Sequence, residues 1–544
     1  MSQPEDLAES TLKDRGARGE GGSTARRVAI NTVSNWVAMG AQVFALMFLL
    51  SYVYKKFEVR YGVDEVRDLW GVYRLSTYFT MAVTFLSFGL AGSVIRLASE
   101  SVATRDKVRL SQISSVSRTV LLLSAAVGLG AMVLVSVLLL DVLNVPEAYR
   151  SSATTLFQLT ALSGAFQMLY ILYRGLLQAK QRYDLANAAL IAEVLIRVAL
   201  VVVCFELGWQ RLEILGYAVA IASLVGLVML VIMVRCVLPE LRMSFLNLNR
   251  SVAKEVLSFG AWVTVSQASR QVMETGGPFI VSATLGTGAA GVYGIPQLFT
   301  DFLLRVVTGV TQTLRPVASE YAILGRRDEL ARLYRVSTRL SMVLVALPTA
   351  VLVTHGQPFI IYWTGPQMAD AYYVMLVCIG LSFVRLIGVP AEHVILSTGH
   401  IGGLVLSGMV ASVMGLGLAL GVASWTDWGI YGLVVALFLP MAIRSLVYLP
   451  HRMRIEAPVT WGTTIFGCVI PPMLAAVVPA GAGVFLRWIW PPGSLWAVLV
   501  QMALMSIPYA PVVWFAVLNA DERGIIRRAL LPARLMERLA KGRR

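Results

Sequence analysis

Gly71-Val72-Tyr73 recurs as Gly291-Val292-Tyr293, Phe79-Thr80 as Phe299-Thr300, and Ala98-Ser99-Glu100 as Ala318-Ser319-Glu320, each 220 residues further along the chain. Val116-Ser117 and Val336-Ser337 keep the same offset, as do Gly89 and Gly309, so the register holds across two apolar stretches and the charged segment between them. Chance matches in an apolar chain rarely stay in register that long; one unit was duplicated. Internal repeats in a polytopic chain are the sequence mark of transporter folds, whose solute site lies near the bilayer midplane.

Composition gives the medium. Of 544 residues 57% are hydrophobic and only 14% charged, and the mean hydropathy is +0.71; soluble domains carry about a quarter charged residues. The hydrocarbon core needs about 20 apolar residues per helix, and segments of this kind, running from Val28 to Leu518, predict fourteen transmembrane helices. The fold expected is an all-α polytopic membrane protein with two six-helix repeats, helices 1–6 and 7–12, and two extra C-terminal helices. The first apolar run is too long for a cleaved signal core, so it is expected to stay in the membrane. Cys204, Cys236, Cys378 and Cys468 sit in or at the ends of apolar helices at spacings that fit no metal or redox motif. No catalytic group, metal or cofactor is expected.

The cations set the topology. With the N-terminus inside, one side collects Arg26 and Arg27, Arg105, Lys107 and Arg109, Lys180 and Arg182, Arg326 and Arg327, Arg452 and Arg454, and eight more from Arg523 to Arg544. The opposite loops are nearly bare, apart from a charge-balanced first loop. Both termini are therefore expected in the cytoplasm. The net charge of +15 reads as topology, not as affinity for nucleic acid.

The chain divides into a disordered cytoplasmic tail at 1–25, an N-terminal bundle at 26–254, a C-terminal bundle at 255–454, two additional helices at 455–520 and a basic amphipathic tail at 521–544. Trp36-Val37 pairs with Trp262-Val263 at an offset of 226, so about six extra residues precede the first Gly-Val-Tyr and are expected to enlarge the first outer loop. Prolines concentrate in the second half. At Gly276-Gly277-Pro278 a bend or break is expected, either a passive kink or a gate hinge.

Leu285-Gly-Thr-Gly-Ala-Ala-Gly-Val-Tyr293, Gly175-Leu-Leu-Gln-Ala-Lys-Gln-Arg-Tyr183 and Leu396-Ser-Thr-Gly-His400 resemble the inter-helix signatures of Wzx-type oligosaccharide-lipid flippases, members of the multidrug, oligosaccharidyl-lipid and polysaccharide exporter superfamily. The resemblance spans roughly residues 28 to 450. It implies two bundles around a central cavity, alternating access, and a polyprenyl-pyrophosphate-linked glycan as cargo in a bacterial inner membrane, with a glycan polymerase as an optional partner and a monomer as the working unit.

Arginines and no lysine fall inside the apolar segments, among them Arg96, Arg118, Arg197, Arg270, Arg305, Arg339 and Arg385. Arginine keeps its charge when desolvated and matches phosphate oxygens with a planar fork. Arg385, deep in its helix with no acid within a turn, is the first candidate for cargo contact, followed by Arg270, Arg197 and Arg305. Glu193, Glu274 and Asp301 lie one turn from Arg197, Arg270 and Arg305 and form either structural pairs or coupling sites. Arg96, Arg118 and Arg339 lie near cytoplasmic ends and are expected to snorkel. Asn35 and Gln271 can bond sugar hydroxyls or join helices.

No phosphate-binding Walker sequence occurs, so transport without ATP hydrolysis is expected. The alternatives are a cation-coupled multidrug exporter or lipid II flippase of the same superfamily, and less favourably a polyprenyl-sugar glycosyltransferase using Asp64, Glu65 and Asp68. The loops are too short for a catalytic domain, so no enzyme is expected.

Overall fold

The computed structural model describes residues 20–87, 89–244, 249–399, 401–520 and 522–524; within helices, side chains are described except at a few positions, chiefly 20–30 and 259–274. Among these residues the chain is helical, and eleven stretches are long and apolar enough to cross a membrane. The helices are α1 Glu20–Tyr61, α2 Val63–Phe85, α3 Leu90–Ala103, α4 Lys107–Leu138, α5 Arg150–Ala179, α6 Tyr183–Glu206, α7 Leu212–Val237 and α8 Arg250–Leu285, then α9 Thr287–Ile323, α10 Arg327–Thr364, α11 Ala371–Ser397, α12 Ile401–Trp425 and α13 Gly429–Ile443. A π-helical turn carries α13 into α14, Leu449–Glu456; after α15, Trp461–Thr464, another leads into α16, Ile470–Ile489, followed by α17 Leu495–Ser506 and α18 Tyr509–Val512.

The duplicated register appears in the joints. α1 and α2 meet at Gly62 (φ 92°, ψ 172°), and α8 and α9 at Gly286 (φ 88°, ψ 170°). Only glycine takes this conformation without strain, so each hairpin turns on one residue. The six extra residues of the first half therefore do not enlarge an outer loop; they lengthen helices. α1 begins at Glu20, inside the stretch expected to be disordered. The amphipathic tail lies outside the described residues beyond Gly524.

Two other expectations change. The apolar run from Tyr73 to Ala98, counted as one of the fourteen spans, is two helices, because Gly89 takes the left-handed conformation (φ 62°) and starts α3 afresh, whereas Gly309 lies within the unbroken α9. Conversely, α8 runs unbroken through Gly276-Gly277-Pro278. There the missing Cβ atoms serve packing: one added at Gly276 would lie 3.0 Å from Leu416, and one at Gly277 3.3 Å from Leu437.

The chain forms two compact units. One holds α1, residues Val72–Val265 and the core in which Val94, Leu176, Leu177 and Leu230 are buried; the other holds Val63–Gly71 and everything from Ser266 on. In the second unit α9, α10 and α11 share a core of Leu303, Val307, Met342, Val345 and Leu386. The C-terminal helices dock on α10 through small residues, Ala346 and Ala350 against Ala475 and Ala476, the packing that lets helices approach where lipid supplies no hydrophobic drive.

Polar staples reinforce that seam. Tyr509 Oη donates to the Val343 carbonyl at 2.8 Å, Arg487 Nη1 to the Thr354 carbonyl at 2.6 Å, and His355 Nε2 lies 3.1 Å from Gln501 Oε1. Arg339, expected to snorkel, is instead held by both carboxylate oxygens of Glu522 at 3.1 and 3.0 Å and by the Gly467 carbonyl. The Glu522 side chain is 3% exposed, so its partner cannot be lost cheaply. Removing one member of such a pair costs about 3–5 kcal/mol, whereas replacing both with apolar groups is far milder. Arg339→Ala should therefore lower the melting temperature in detergent sharply, and Arg339→Met/Glu522→Leu should recover most of the loss. An equal loss in both variants would count against a buried pair.

Candidate functional site

Tyr293, Gln297, Thr300, Asp301 and Leu304 recur along α9 at spacings of four, three, one and three, which places them on one stripe of the helix. With Ser382, Arg385 and Leu386 of α11 and Phe438 of α13 they line a small, partly open cavity. All belong to the second unit. Four neutral polar side chains (Tyr293, Gln297, Thr300 and Ser382), one cation and one anion converge on this space, and Leu304, Leu386 and Phe438 close the remainder.

Arg385 is half-buried. A charge inside a spanning segment costs about 2.5–3.5 kcal/mol on insertion scales, and here a polar cavity receives it. Ser445 Oγ donates to the Arg385 backbone carbonyl at 3.1 Å and thereby fixes the turn of α11 that carries the guanidinium. One turn earlier, Ser382 Oγ is buried with no hydrogen-bond partner among the described residues. A buried hydroxyl left unpaired costs about 1–3 kcal/mol, and a polar guest or water in the cavity would satisfy it.

A second polar cluster lies in the first unit. Glu193 of α6 is 8% exposed. Its Oε1 accepts from Gln167 Nε2 at 2.7 Å and Ser223 Oγ at 3.3 Å, and Ser163 bonds Ser223 at 2.7 Å. Glu193 Oε2 and Tyr170 Oη are buried without partners. Both border Gly226, where an added Cβ would lie 3.2 Å from Glu193 Oε2 and 3.4 Å from the Tyr170 ring. The expected pair with Arg197 does not form: among the described residues no ion pair joins them, and Arg197 Nε is buried without a partner. Polar groups on neighbouring helices hold the carboxylate instead of the residue one turn away.

The remaining sequence-predicted residues are placed as follows. Arg305 is exposed on α9, off the stripe that lines the cavity. Asn35 accepts from Asn187 Nδ2 at 2.6 Å, and the same amide reaches Ser34 at 3.0 Å, so it ties α1 to α6. The side chains of Arg270, Gln271 and Glu274 lie outside those described. Arg444 went unremarked in the sequence: it is buried and pairs with Glu392, with Ser407 Oγ and the Leu404 carbonyl completing its shell. Tyr293, Gln297 and Ser382 were also missed. The signal that could have found the first two was their helical spacing from Asp301.

Comparison with known proteins agrees with this architecture. Residues 69–322 match the model of the family described as polysaccharide biosynthesis protein. The uncharacterized membrane protein EpsK of Bacillus subtilis (strain 168) is 22% identical over 414 residues, covering 73% of this chain and 81% of that one. Among solved structures, an inward-facing multidrug resistance MATE family transporter superposes with a TM-score of 0.63 at 13% identity, covering 75% of this chain and 98% of that chain. A superfamily transporter from Pyrococcus furiosus, described as having a binding pocket of reversed polarity, gives 0.52 at 14% identity, over 75% of this chain and 96% of its own. Over residues 69–322 the chain is thus similar to the polysaccharide biosynthesis protein family, and its multi-pass helical fold is like that of the MATE transporters.

Proposed function

We propose that the protein flips a polyprenyl-pyrophosphate-linked oligosaccharide across a bacterial inner membrane by alternating access, without hydrolysing ATP, and that both its termini are cytoplasmic. The observation that carries this reading is Arg385, directed with the unpaired Ser382 hydroxyl into a polar cavity of the second unit. A guanidinium beside a hydroxyl suits a phosphate oxygen, and Gln297, Thr300 and Tyr293 suit further oxygens of the head group or first sugar. The prenyl chain stays in lipid. An inside-negative potential assists outward passage of each negative charge by about 2.3 kcal/mol per 100 mV.

Glu193 is the candidate for coupling. Its buried, unpaired Oε2 can take a proton, while Gln167 and Ser223 stabilise the ionised form through Oε1. The charged and titratable neighbours are Tyr170 and Arg174 of α5 and Arg197 of α6. Two arginines near the site disfavour a metal cation and leave a proton as the ion that fits.

Asp301 favours the rival reading, a cation-coupled drug exporter, because it places a carboxylate in the cavity beside Arg385. Flipping of a polyprenyl-pyrophosphate disaccharide in proteoliposomes separates the two. Loss of a charge-assisted hydrogen bond should slow Arg385→Ala about ten- to a hundredfold, with Arg305→Ala near wild type; unimpaired flipping by Arg385→Ala would remove the cargo role. Export of a cationic dye that is lost in Asp301→Asn and kept in Arg385→Ala would favour the drug exporter. Glu193→Gln should keep the fold and flatten the pH profile of flipping; an unchanged profile would exclude Glu193 from coupling.

A further inference from the structure

We infer that the joint between α16 and α17 is immersed in the lipid interface of the outer leaflet, and that Trp488, Trp490 and Trp496 anchor it there. That the leaflet is the outer one rests on the topology proposed above; the contact with lipid does not. The joint reads Trp488-Ile-Trp-Pro-Pro-Gly-Ser-Leu-Trp496. Its three indoles are 46–80% exposed, whereas Trp363, at the end of α10 in the same unit, is buried against Phe299 and Phe359. Three large apolar rings presented from one short turn need a cover that the protein does not supply.

What covers them follows from the helix they continue. Leu474, Val477, Val484 and Trp488 share one stripe of α16, and all four are exposed. Within a membrane-spanning segment lipid is what covers such a stripe, and Trp488 carries it to the end of the helix, its ring 6.3 Å from that of Phe485. Indole suits this boundary, because its ring is apolar and its N–H seeks an acceptor. Near the start of α15 the same group turns inward: Trp461 Nε1 donates to the Leu446 carbonyl at 2.7 Å. Among the described residues the indoles of the α16–α17 joint make no such bond, which leaves each N–H to lipid ester carbonyls or interfacial water. Charge takes no part in the contact. Arg487 is the one ionisable side chain in residues 485–496, and it is held by the Thr354 carbonyl at 2.6 Å.

A turn enters lipid only if its backbone polar groups are satisfied within the protein, and this one meets the condition. Pro491 and Pro492 have no N–H to satisfy. Trp490 N donates to the Leu486 carbonyl at 2.8 Å. The Trp490 carbonyl accepts from Gln501 Nε2, and the Pro492 carbonyl accepts from Tyr362 Oη at 2.7 Å. Ser494 Oγ accepts from Ala497 N at 3.2 Å and caps α17. Gln501 is itself buried and bonded to His355, and Tyr362 belongs to α10, so the joint is pinned to the core of the second unit and presents its indoles from a rigid base. The α12–α13 joint of the same unit repeats the pattern. Trp425 and Trp428 are exposed there, with Val410, Met414 and Leu418 exposed along α12.

Depth measurements in liposomes test the immersion. In a chain with Cys204, Cys236, Cys378 and Cys468 replaced, a nitroxide is attached at Gly493→Cys, where an added Cβ meets nothing within 4 Å. Immersion predicts that the label is more accessible to oxygen, which concentrates in lipid, than to a water-soluble nickel chelate; the reverse order would overturn it. Tryptophan emission gives the second readout. The emission lost in Trp488→Phe/Trp490→Phe/Trp496→Phe should be the part of the parent's signal that lipid brominated near the head group quenches more strongly than lipid brominated at the chain ends, with little quenching by acrylamide. Emission indifferent to both brominated lipids would overturn the anchor; a shift on adding a soluble oligosaccharide in its place would make the joint a glycan platform. In vesicles of known orientation, external ascorbate should reduce the nitroxide. Reduction by trapped ascorbate alone would keep the lipid contact and overturn both its outer placement and the proposed topology, whereas failure of flipping with the depth results intact would sink the flippase reading and leave the anchor standing.

Discussion

A guanidinium inside an apolar bundle persists only where the chain supplies a counter-charge or keeps the group wet, and this constraint sorts the arginines of the second unit. Arg339 and Arg444 have their carboxylates, Glu522 and Glu392, and further carbonyl or hydroxyl acceptors. They are committed to packing, because a buried ion pair that loses one partner leaves the other charge stranded. Arg385 differs. Among the described residues no ion pair reaches it, and it lines a cavity with the Ser382 hydroxyl, which has no hydrogen-bond partner among those residues. Solvation by an incoming ligand or water is what remains to complete the set, and this makes Arg385 the functional candidate among chemically identical side chains.

The second recurrent device is absence of a side chain. Lipid offers helices no hydrophobic reason to associate, so close backbone contact and hydrogen bonds between helices do that work. Gly71 and Gly291 bring α2 onto α9; a Cβ at Gly415 would stand 2.7 Å from the Leu437 carbonyl, which brings α12 onto α13; Gly276 and Gly277 seat α8 against Leu416 and Leu437. In the first unit the gap at Gly226 is different in kind, since it opens onto an ionisable oxygen and a phenol. Small residues here thus do two things: some close contacts between helices, and one leaves room beside a carboxylate.

Much of the architecture was legible along the chain. Hydropathy alone identified a multi-pass helical protein, and the 220-residue register identified the duplication. Local rules failed where the fold substitutes a distant partner for a near one. Glu193 and Arg197 are one turn apart, yet Glu193 bonds Gln167 and Ser223 on α5 and α7. Arg339 looked like a snorkelling residue because its partner lies 183 positions away. Asn35 looked able to meet a sugar, and Asn187, 152 residues on, holds it. The apolar run around Gly89 is continuous in composition, but a left-handed glycine breaks the helix there, and its counterpart Gly309 does not.

The sequence by itself determined the medium, the all-helical class, the repeat and the abundance of arginine within apolar segments, since each follows from composition or from spacing within a few turns. Only the tertiary structure decided which arginine is paired, which faces a cavity, and which glycines touch. Those outcomes depend on groups dozens to hundreds of residues apart coming within hydrogen-bond or van der Waals distance. Helical periodicity fixes which way a side chain points from its own helix; packing decides what it meets.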